Sequence, residues 1–388
     1  MRSAHHLPVF FDDAHRALAT KIEAAIAPGG KPRAHGDADA DVAANVVPWL
    51  AREGMTELLA PNDRRMSVRA LCVAREALAY VSPLADAIFA VQGLGAQPLL
   101  QASKFSRKED VLREMRAGTR VGAFALTEPE AGSDVASMRA VARREGDAWI
   151  LDGEKVFISN VGIAHSLVVF ANADPSLGKK GISAFFVEAT APGLKLETIA
   201  TSGDHPLGRV IMRGCRVPAD ALVGEIGHGM RLALGTLDVF RTSVGAAAVG
   251  MAHRALDEAL AHVARRVQFG QPLADFQLVQ AMLAEMATEL DAARLLVARA
   301  AWIKDTNATT ATSAASAVAM AKLYATESAQ RIIDRAVQLH GGLGVTSGCV
   351  VERLYREIRP LRIYEGTSEI QKIILGSALA KQAKEAAA

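Results

Sequence analysis

The chain is poor in several things that would point to particular functions. It has only three cysteines, Cys72, Cys215 and Cys349. They are an odd number and lie far from one another in sequence, so they form neither a CxxC metal or redox motif nor a disulfide framework. Three reduced thiols are the simpler reading. Aromatic residues make up only 5% of the 388 residues. Charge of one sign is also scarce: the net charge is +2, with 22% charged residues and no long block of Lys and Arg. A nucleic-acid or membrane surface would need such a block, so neither partner is expected. No run of about 18 apolar residues stands out, and Met1-Arg2-Ser3-Ala4-His5-His6 is not followed by the apolar centre of a signal peptide. The expectation is a cytoplasmic protein without membrane insertion.

Several catalytic signatures are missing too. Walker A, HExxH and GxSxG do not occur, and the nearest approach to GxGxxG is Gly341-Gly342-Leu343-Gly344, which follows a helical pattern rather than a strand. A Rossmann nicotinamide site is therefore not expected.

What the chain does have is alanine, with half of its residues hydrophobic, a mix that favours helices. Residues 1–120 read as helical, with Val68–Tyr80 and Ala85–Leu100 as clear segments and Pro28–Asp41 as a loop. Residues 121–230 change to short runs rich in Val, Ile and Phe between turn signals. Strands are expected at Met138–Arg143, Ala148–Leu151, Lys155–Ile158, Leu167–Ala171, Ile182–Glu188 and Val210–Met212. Residues 231–388 return to long helices, Arg231–Ala264, Gln277–Lys304 and Ser313–Leu339. Helices, strands, then long helices make an α+β chain: an N-terminal helical domain, a middle antiparallel β-barrel or sheet, and a C-terminal helical bundle.

Four segments carry candidate chemistry. Thr127-Glu128-Pro129-Glu130-Ala131-Gly132-Ser133-Asp134 follows an apolar run and is dense in turn residues whose backbone amides suit an anionic or carbonyl-rich ligand. Taken alone, it reads more readily as a plain surface turn with an Asx cap. Phe157-Ile158-Ser159-Asn160 closes a strand. Arg266-Val267-Gln268-Phe269-Gly270 sits between two helices and pairs a guanidinium with an aromatic ring, suited to a pyrophosphate and an adenine. Tyr364-Glu365-Gly366-Thr367-Ser368-Glu369 places a carboxylate at a helix-to-loop break, where Gly366 permits a tight backbone. Taken alone, Glu365 reads more readily as a solvated glutamate than as a base.

In this order and spacing, the four segments resemble the acyl-CoA dehydrogenase family over nearly the whole chain. The resemblance implies FAD as cofactor and Glu365 as the catalytic base. It implies that Phe124, Leu126, Thr127 and Ser133 run along the flavin, with Ser133 also on the pantetheine arm of the thioester. Phe157, Ile158 and Ser159 would continue the flavin site, Phe157 standing where relatives commonly have Trp. Arg266, Gln268, Phe269, Gln277, Gln338, Gly341 and Gly342 would grip the adenine half of FAD held mainly by a neighbouring subunit. Thr367 and Glu369 would add flavin contacts, and Asp238, Arg241 and Gly366 contacts to the acyl-CoA. Phe240 fills the alternative base position of some relatives and cannot accept a proton.

The implied reaction is α,β-dehydrogenation to a trans-2-enoyl-CoA. Its implied partners are acyl-CoA, an electron-transferring flavoprotein and further copies of the chain, as a tetramer. Asp86 falls where glutaryl-CoA dehydrogenases carry an Arg for the distal carboxylate, so an anionic acyl tail is disfavoured; otherwise Asp86 reads as a helix cap or solvated residue. An acyl-CoA oxidase, a dehydrogenase of carrier-protein thioesters, and a structural protein that kept the fold are the rival readings.

Overall fold

The computed structural model describes residues 3–27, 40–63 and 65–387. Helices α1 (Ser3–His6), α2 (Asp13–Ala25), α3 (Ala40–Arg52), α4 (Val68–Val81), α5 (Pro83–Gln101) and α6 (Lys108–Arg116) come first. Strands β1 (Gly122–Ala125), β2 (Val141–Glu145), β3 (Ala148–Ser159), β4 (Ser166–Asn172), β5 (Ile182–Glu188), β6 (Leu194–Thr198), β7 (Leu207–Pro218) and β8 (Leu222–Val223) follow. Then come α7 (Gly229–Arg265), the hairpin β9 (Val267–Gln268) and β10 (Gln271–Pro272), α8 (Gln277–Thr306), α9 (Ala311–His340), α10 (Val350–Ile358) and α11 (Ser368–Ala386). The five long helices expected from periodicity begin and end within about two residues of α4, α5, α7, α8 and α9. The expected loop at 28–41 lies outside the described residues up to 39, and its last two residues open α3.

The chain forms two compact units. One comprises residues 1–36, 67–86 and 240–388, the other 37–66 and 87–239, so the division falls inside α5 and α7.

The second unit holds the sheet, in the order β6-β7-β3-β2-β4-β5-β8, with β1 added beside β4. Most pairings are antiparallel, as expected, but β1 runs parallel to β4 from Gly122↔Ser166 to Ala125↔Val169, and β2 meets β4 parallel at Val141↔Asn172. The sheet is therefore mixed. Asp152-Gly153, which reads as a turn in sequence, lies inside a single continuous β3. The register of β3 against β7 shifts between Leu151 and Gly153. Gly153 absorbs the shift at φ +140°, and a Cβ there would lie 2.7 Å from that of Ala140. Trp149, Leu151, Ile158, Val169, Phe185, Val187, Val210 and Met212 fill the core on one side of the sheet.

The first unit is helical. Asp305 near the end of α8 caps α4, accepting from the Ser67 hydroxyl at 2.7 Å, the Val68 N–H at 2.7 Å and the Arg69 N–H at 3.1 Å. On α7, a Cβ at Gly250 would lie 2.2 Å from the Glu76 carbonyl oxygen, so glycine lets α7 close on α4. By length and composition α7 could span a membrane, yet 67% of its most apolar window is buried within the protein. Phe240, Val244, Ala248, Met251, Ala255 and Val263 are core residues, which accounts for the apolar composition without a bilayer.

Candidate active site

In the first unit, the segment between α10 and α11 carries Glu365 on a backbone that L-residues rarely adopt: φ is +54° at Glu365 and +91° at Gly366. A non-glycine residue there costs on the order of 1–3 kcal/mol, so neighbours must hold it. Three side chains do so through carbonyl oxygens. Arg241 Nε–H donates to Glu365 O at 3.0 Å, while Lys322 Nζ and Gln371 Nε2 both donate to Gly366 O at 2.9 Å. Glycine suits 366 because of its positive φ, and a Cβ there would also lie 2.7 Å from Gln371 Nε2 and displace that amide. Thr367 then starts α11, its Oγ1 accepting from the Ile370 N–H at 3.3 Å. Glu327 on α9 clasps the segment from both sides, accepting from Arg362 Nε at 2.8 Å and from the Ser368 hydroxyl.

The Glu365 carboxylate itself is left unengaged. Its Oε2 is buried and has no hydrogen-bond partner among the described residues. Its N–H also donates to no acceptor among them. Burial raises the pKa of Glu365, against the opposing pull of Arg75, Arg241 and Lys322. Beside it lies a second buried cluster. Arg75 is wholly enclosed and forks onto Asp86 through Nε at 2.8 Å and Nη2 at 2.9 Å, and its Nη1 donates to the Ser243 hydroxyl at 3.1 Å. The Tyr364 phenol lies near this charge, and burial pushes its pKa up. Burial disfavours the guanidinium, but Asp86 more than offsets this and holds Arg75 charged. Asp86 is thus neither a helix cap nor a solvated residue; it is 1% exposed, because an enclosed guanidinium needs a carboxylate beside it.

The adenine-side candidates in this unit share one property: Arg266, Gln268, Phe269, Gln277, Gln338, Gly341 and Gly342 are all exposed. Phe269 and Gly270 form the tip of the β9–β10 hairpin with φ of +51° and +82°. That turn holds the Phe269 ring 96% exposed. His262 and His340 stack at 4.4 Å between ring centroids, which brings the chain end leading to Arg266 beside the one leading to Gly341-Gly342. Neither of those glycines has any atom within 4 Å of where a Cβ would stand, so a ligand can approach the backbone closely. Glu369 is exposed in the first turn of α11, where a backbone N–H holds its carboxyl below its ordinary pKa. Arg241 stands three residues after Asp238 on α7, placing both on one helix face. The Nε of Arg241 is committed to the Glu365 carbonyl. Phe240 is fully buried, which leaves Glu365 as the carboxylate of this pair of positions.

In the second unit, the turn at 127–133 is fixed by a buried ion pair. Lys155 Nζ lies 2.8 Å from Glu128 Oε1 and donates to Leu126 O at 3.1 Å. Glu128 also accepts from the N–H groups of Arg139 at 2.6 Å and Ala140 at 3.0 Å. The Val156 N–H donates to Thr127 O at 2.9 Å, so the turn and the end of β3 are joined directly. Strand alternation then sorts the flavin candidates. Leu126 and Ile158 are buried and offer a ligand only their backbone, and Phe124 packs edge-on to Phe170 at 5.0 Å. Phe157 is 63% exposed at φ +58°, Ser159 and Thr127 are half-buried, and Ser133 is exposed. A bare aromatic ring beside hydroxyls and free backbone is a donor set that fits an isoalloxazine ring, as Phe269 and the open glycines fit an adenine and its phosphates.

Sequence reasoning missed Lys155, Glu128, Arg75 and Lys322 as parts of this architecture. Lys322 had a signal: it interrupts the apolar stripe Val318, Ala319, Ala325, Ala329 and Ile332 of α9, where a charge has to have a buried partner.

Comparisons with known proteins identify the family. Residues 123–215 match the acyl-CoA dehydrogenase middle-domain model, and residues 227–380 match the C-terminal-domain model. The human mitochondrial short-chain specific acyl-CoA dehydrogenase is 40% identical over 286 residues, 73% of this chain and 68% of that one. The caffeyl-CoA reductase-Etf complex subunit CarC of Acetobacterium woodii is 39% identical over 318 residues, 80% of this chain and 82% of that one. Among solved structures, a glutaryl-CoA dehydrogenase from Mycobacterium smegmatis in complex with FADH2 superposes with a TM-score of 0.87 at 26% identity, covering 96% of each chain. The chain belongs to the acyl-CoA dehydrogenase family, FAD-dependent oxidoreductases acting on CH–CH bonds.

Proposed function

We propose that this protein converts an acyl-CoA thioester to the trans-2-enoyl-CoA, with Glu365 removing the α-proton. The observation that carries the reading is the buried, unpartnered Oε2 of Glu365 on a turn clamped at both of its carbonyls. An α-proton of a thioester is weakly acidic, so its removal needs a base of raised proton affinity and a donor to the developing enolate oxygen. Burial supplies the first at Glu365, and the unengaged Glu365 N–H is free to act as the second. Bound FAD would supply the hydride acceptor for the β-hydrogen. Within the second unit, Thr127, Phe157 and Ser159 would hold and orient the ring; within the first, Arg241 and Gly366 would contact the acyl-CoA.

The electron acceptor in this reading is an electron-transferring flavoprotein, as the Etf complex named for the Acetobacterium relative supports. The exposed Phe269 and its neighbours support a homo-oligomer, a tetramer, in which adenine contacts cross between copies. The acyl tail is uncharged: the Nε and Nη2 of Arg75 are engaged by Asp86, which leaves that guanidinium no free fork for a distal carboxylate.

Anaerobic mixing of the flavoprotein with a panel of acyl-CoA thioesters tests the reading. Bleaching of the flavin by butyryl-CoA or a similar uncharged thioester, with glutaryl-CoA at least about a hundredfold less effective in kcat/KM, is expected. Peroxide production in air at the rate of bleaching would replace the dehydrogenase with an oxidase. Bleaching by carrier-protein thioesters alone would replace CoA as the carrier, and a protein that no thioester bleaches would end the enzymatic reading.

A further inference from the structure

Lys322 is a buried cation whose one hydrogen bond among the described residues is to an uncharged group. The side chain is fully enclosed on α9, and its Nζ donates at 2.9 Å to the carbonyl oxygen of Gly366. A lysine in such a place is costly, since little offsets the burial of an ammonium that lacks a directly bound carboxylate. Stability alone does not call for it: Gln371 Nε2 already satisfies the same oxygen at 2.9 Å. What the position does provide is a positive charge at the turn that carries the proposed base, on a backbone that needs holding.

We propose that Lys322 is a positioning residue for Glu365: its ammonium, through the Gly366 carbonyl, holds the left-handed turn and keeps the neighbouring carboxylate ionised and ready to accept a proton. The inference rests on Glu365 being the base and adds the group that prepares it. The carbonyls on either side of the Cα of Gly366 are then each fixed by a cation, Arg241 on Glu365 O and Lys322 on Gly366 O. That fixes the backbone from which the Glu365 side chain projects.

Other charges face the pair as well. Arg241 on α7 opposes the charge of Lys322, and Glu327 on α9 and Glu369 on α11 support it, as does Glu365 itself. Arg75 and Asp86, from α4 and α5, face Glu365 from the other cluster. Burial outweighs these supports and brings the ammonium down to about 8, so its charge is present at neutral pH and lost on the alkaline side.

Two variants separate the role from simple packing. Lys322→Met removes both charge and hydrogen bond, and Lys322→Gln keeps a donor for Gly366 O but no charge. Both are to be made in the FAD-loaded full chain. Infrared titration of protein labelled with 13C-carboxyl glutamate, with Glu365→Gln subtracted, reads the Glu365 carboxyl without any turnover. The expected result is a Glu365 midpoint about one pH unit higher in both variants, with flavin absorbance and melting temperature kept. The fall in kcat at pH 7 is expected to be about tenfold or more, greater for Met than for Gln, with KM changed much less. The alkaline fall in kcat near pH 8 should be absent from both. An unchanged Glu365 midpoint in both variants overturns the inference, and so does loss of FAD together with a collapse in melting temperature, which would make Lys322 a structural residue only. A shifted midpoint in a protein that no acyl-CoA bleaches would uphold the Lys322–Glu365 coupling and refute the catalytic reading instead.

Discussion

Lys155 sets its ammonium 2.8 Å from the Glu128 carboxylate, both of them buried, and so ties β3 to the turn at 127–133. Glu128 in turn collects the N–H groups of Arg139 and Ala140, so one carboxylate organises three stretches of chain. Glu128→Gln or Lys155→Met leaves the other partner buried and uncompensated, at a cost of about 3–5 kcal/mol. The turn then loosens, and FAD titration of the apoprotein should show weaker binding. The pH dependence has a definite sign. Burial lowers Lys155 to about 8, well under its value in an unfolded chain, so the charged pair exists below that pH and is lost above it. FAD affinity should therefore fall as pH rises through about 8, a fall absent from Lys155→Met. Variants that bind FAD as tightly as the parent at every pH would contradict this role.

Arg75 and Asp86 form the corresponding pair of the first unit. Asp86→Asn strands a buried guanidinium beside Tyr364 and Glu365, and about 3–5 kcal/mol of stability should be lost in urea unfolding. The double replacement Arg75→Met with Asp86→Leu should cost less than Asp86→Asn alone, because no charge is then left unpaired. If Asp86→Asn cost under about 1 kcal/mol, the pair would not be the closed ion pair seen here.

Phe269 makes a different prediction because its ring is bare. Phe269→Ala should leave helix content unchanged, since a ring 96% exposed supports little within its own chain. If the hairpin tip meets a neighbouring copy and its FAD, the same change should shift sedimentation toward smaller species and weaken FAD binding by about 1–3 kcal/mol. An oligomer and FAD affinity that are both unmoved would remove the hairpin from the interface.

The long helices were legible because their apolar residues recur at helical spacing, and α4, α5, α7, α8 and α9 lie where that spacing puts them. The sheet was less so. Asp152-Gly153 carries the composition of a turn, yet it forms a bulge, because the strand on its far side supplies pairing that a turn would forgo. The parallel pairing of β1 with β4 joins residues about forty positions apart, a relationship that no local pattern reports. In the candidate site, the motif residues were visible one by one, whereas the charges that hold them were not. Lys155, Arg75 and Lys322 each act on a partner distant in sequence, and only the folded chain shows that Lys322 faces Gly366 or that Arg75 faces Asp86.

The most direct test of the central claim is the turnover of Glu365→Gln with the best uncharged acyl-CoA substrate. Glutamine keeps the shape of the side chain and the clamped turn but cannot take up the α-proton. Flavin absorbance and acyl-CoA binding should stay near those of the parent, while kcat falls by about 10²–10⁴-fold or more. Turnover within about threefold of the parent, with FAD fully bound, would show that a group other than Glu365 accepts the proton.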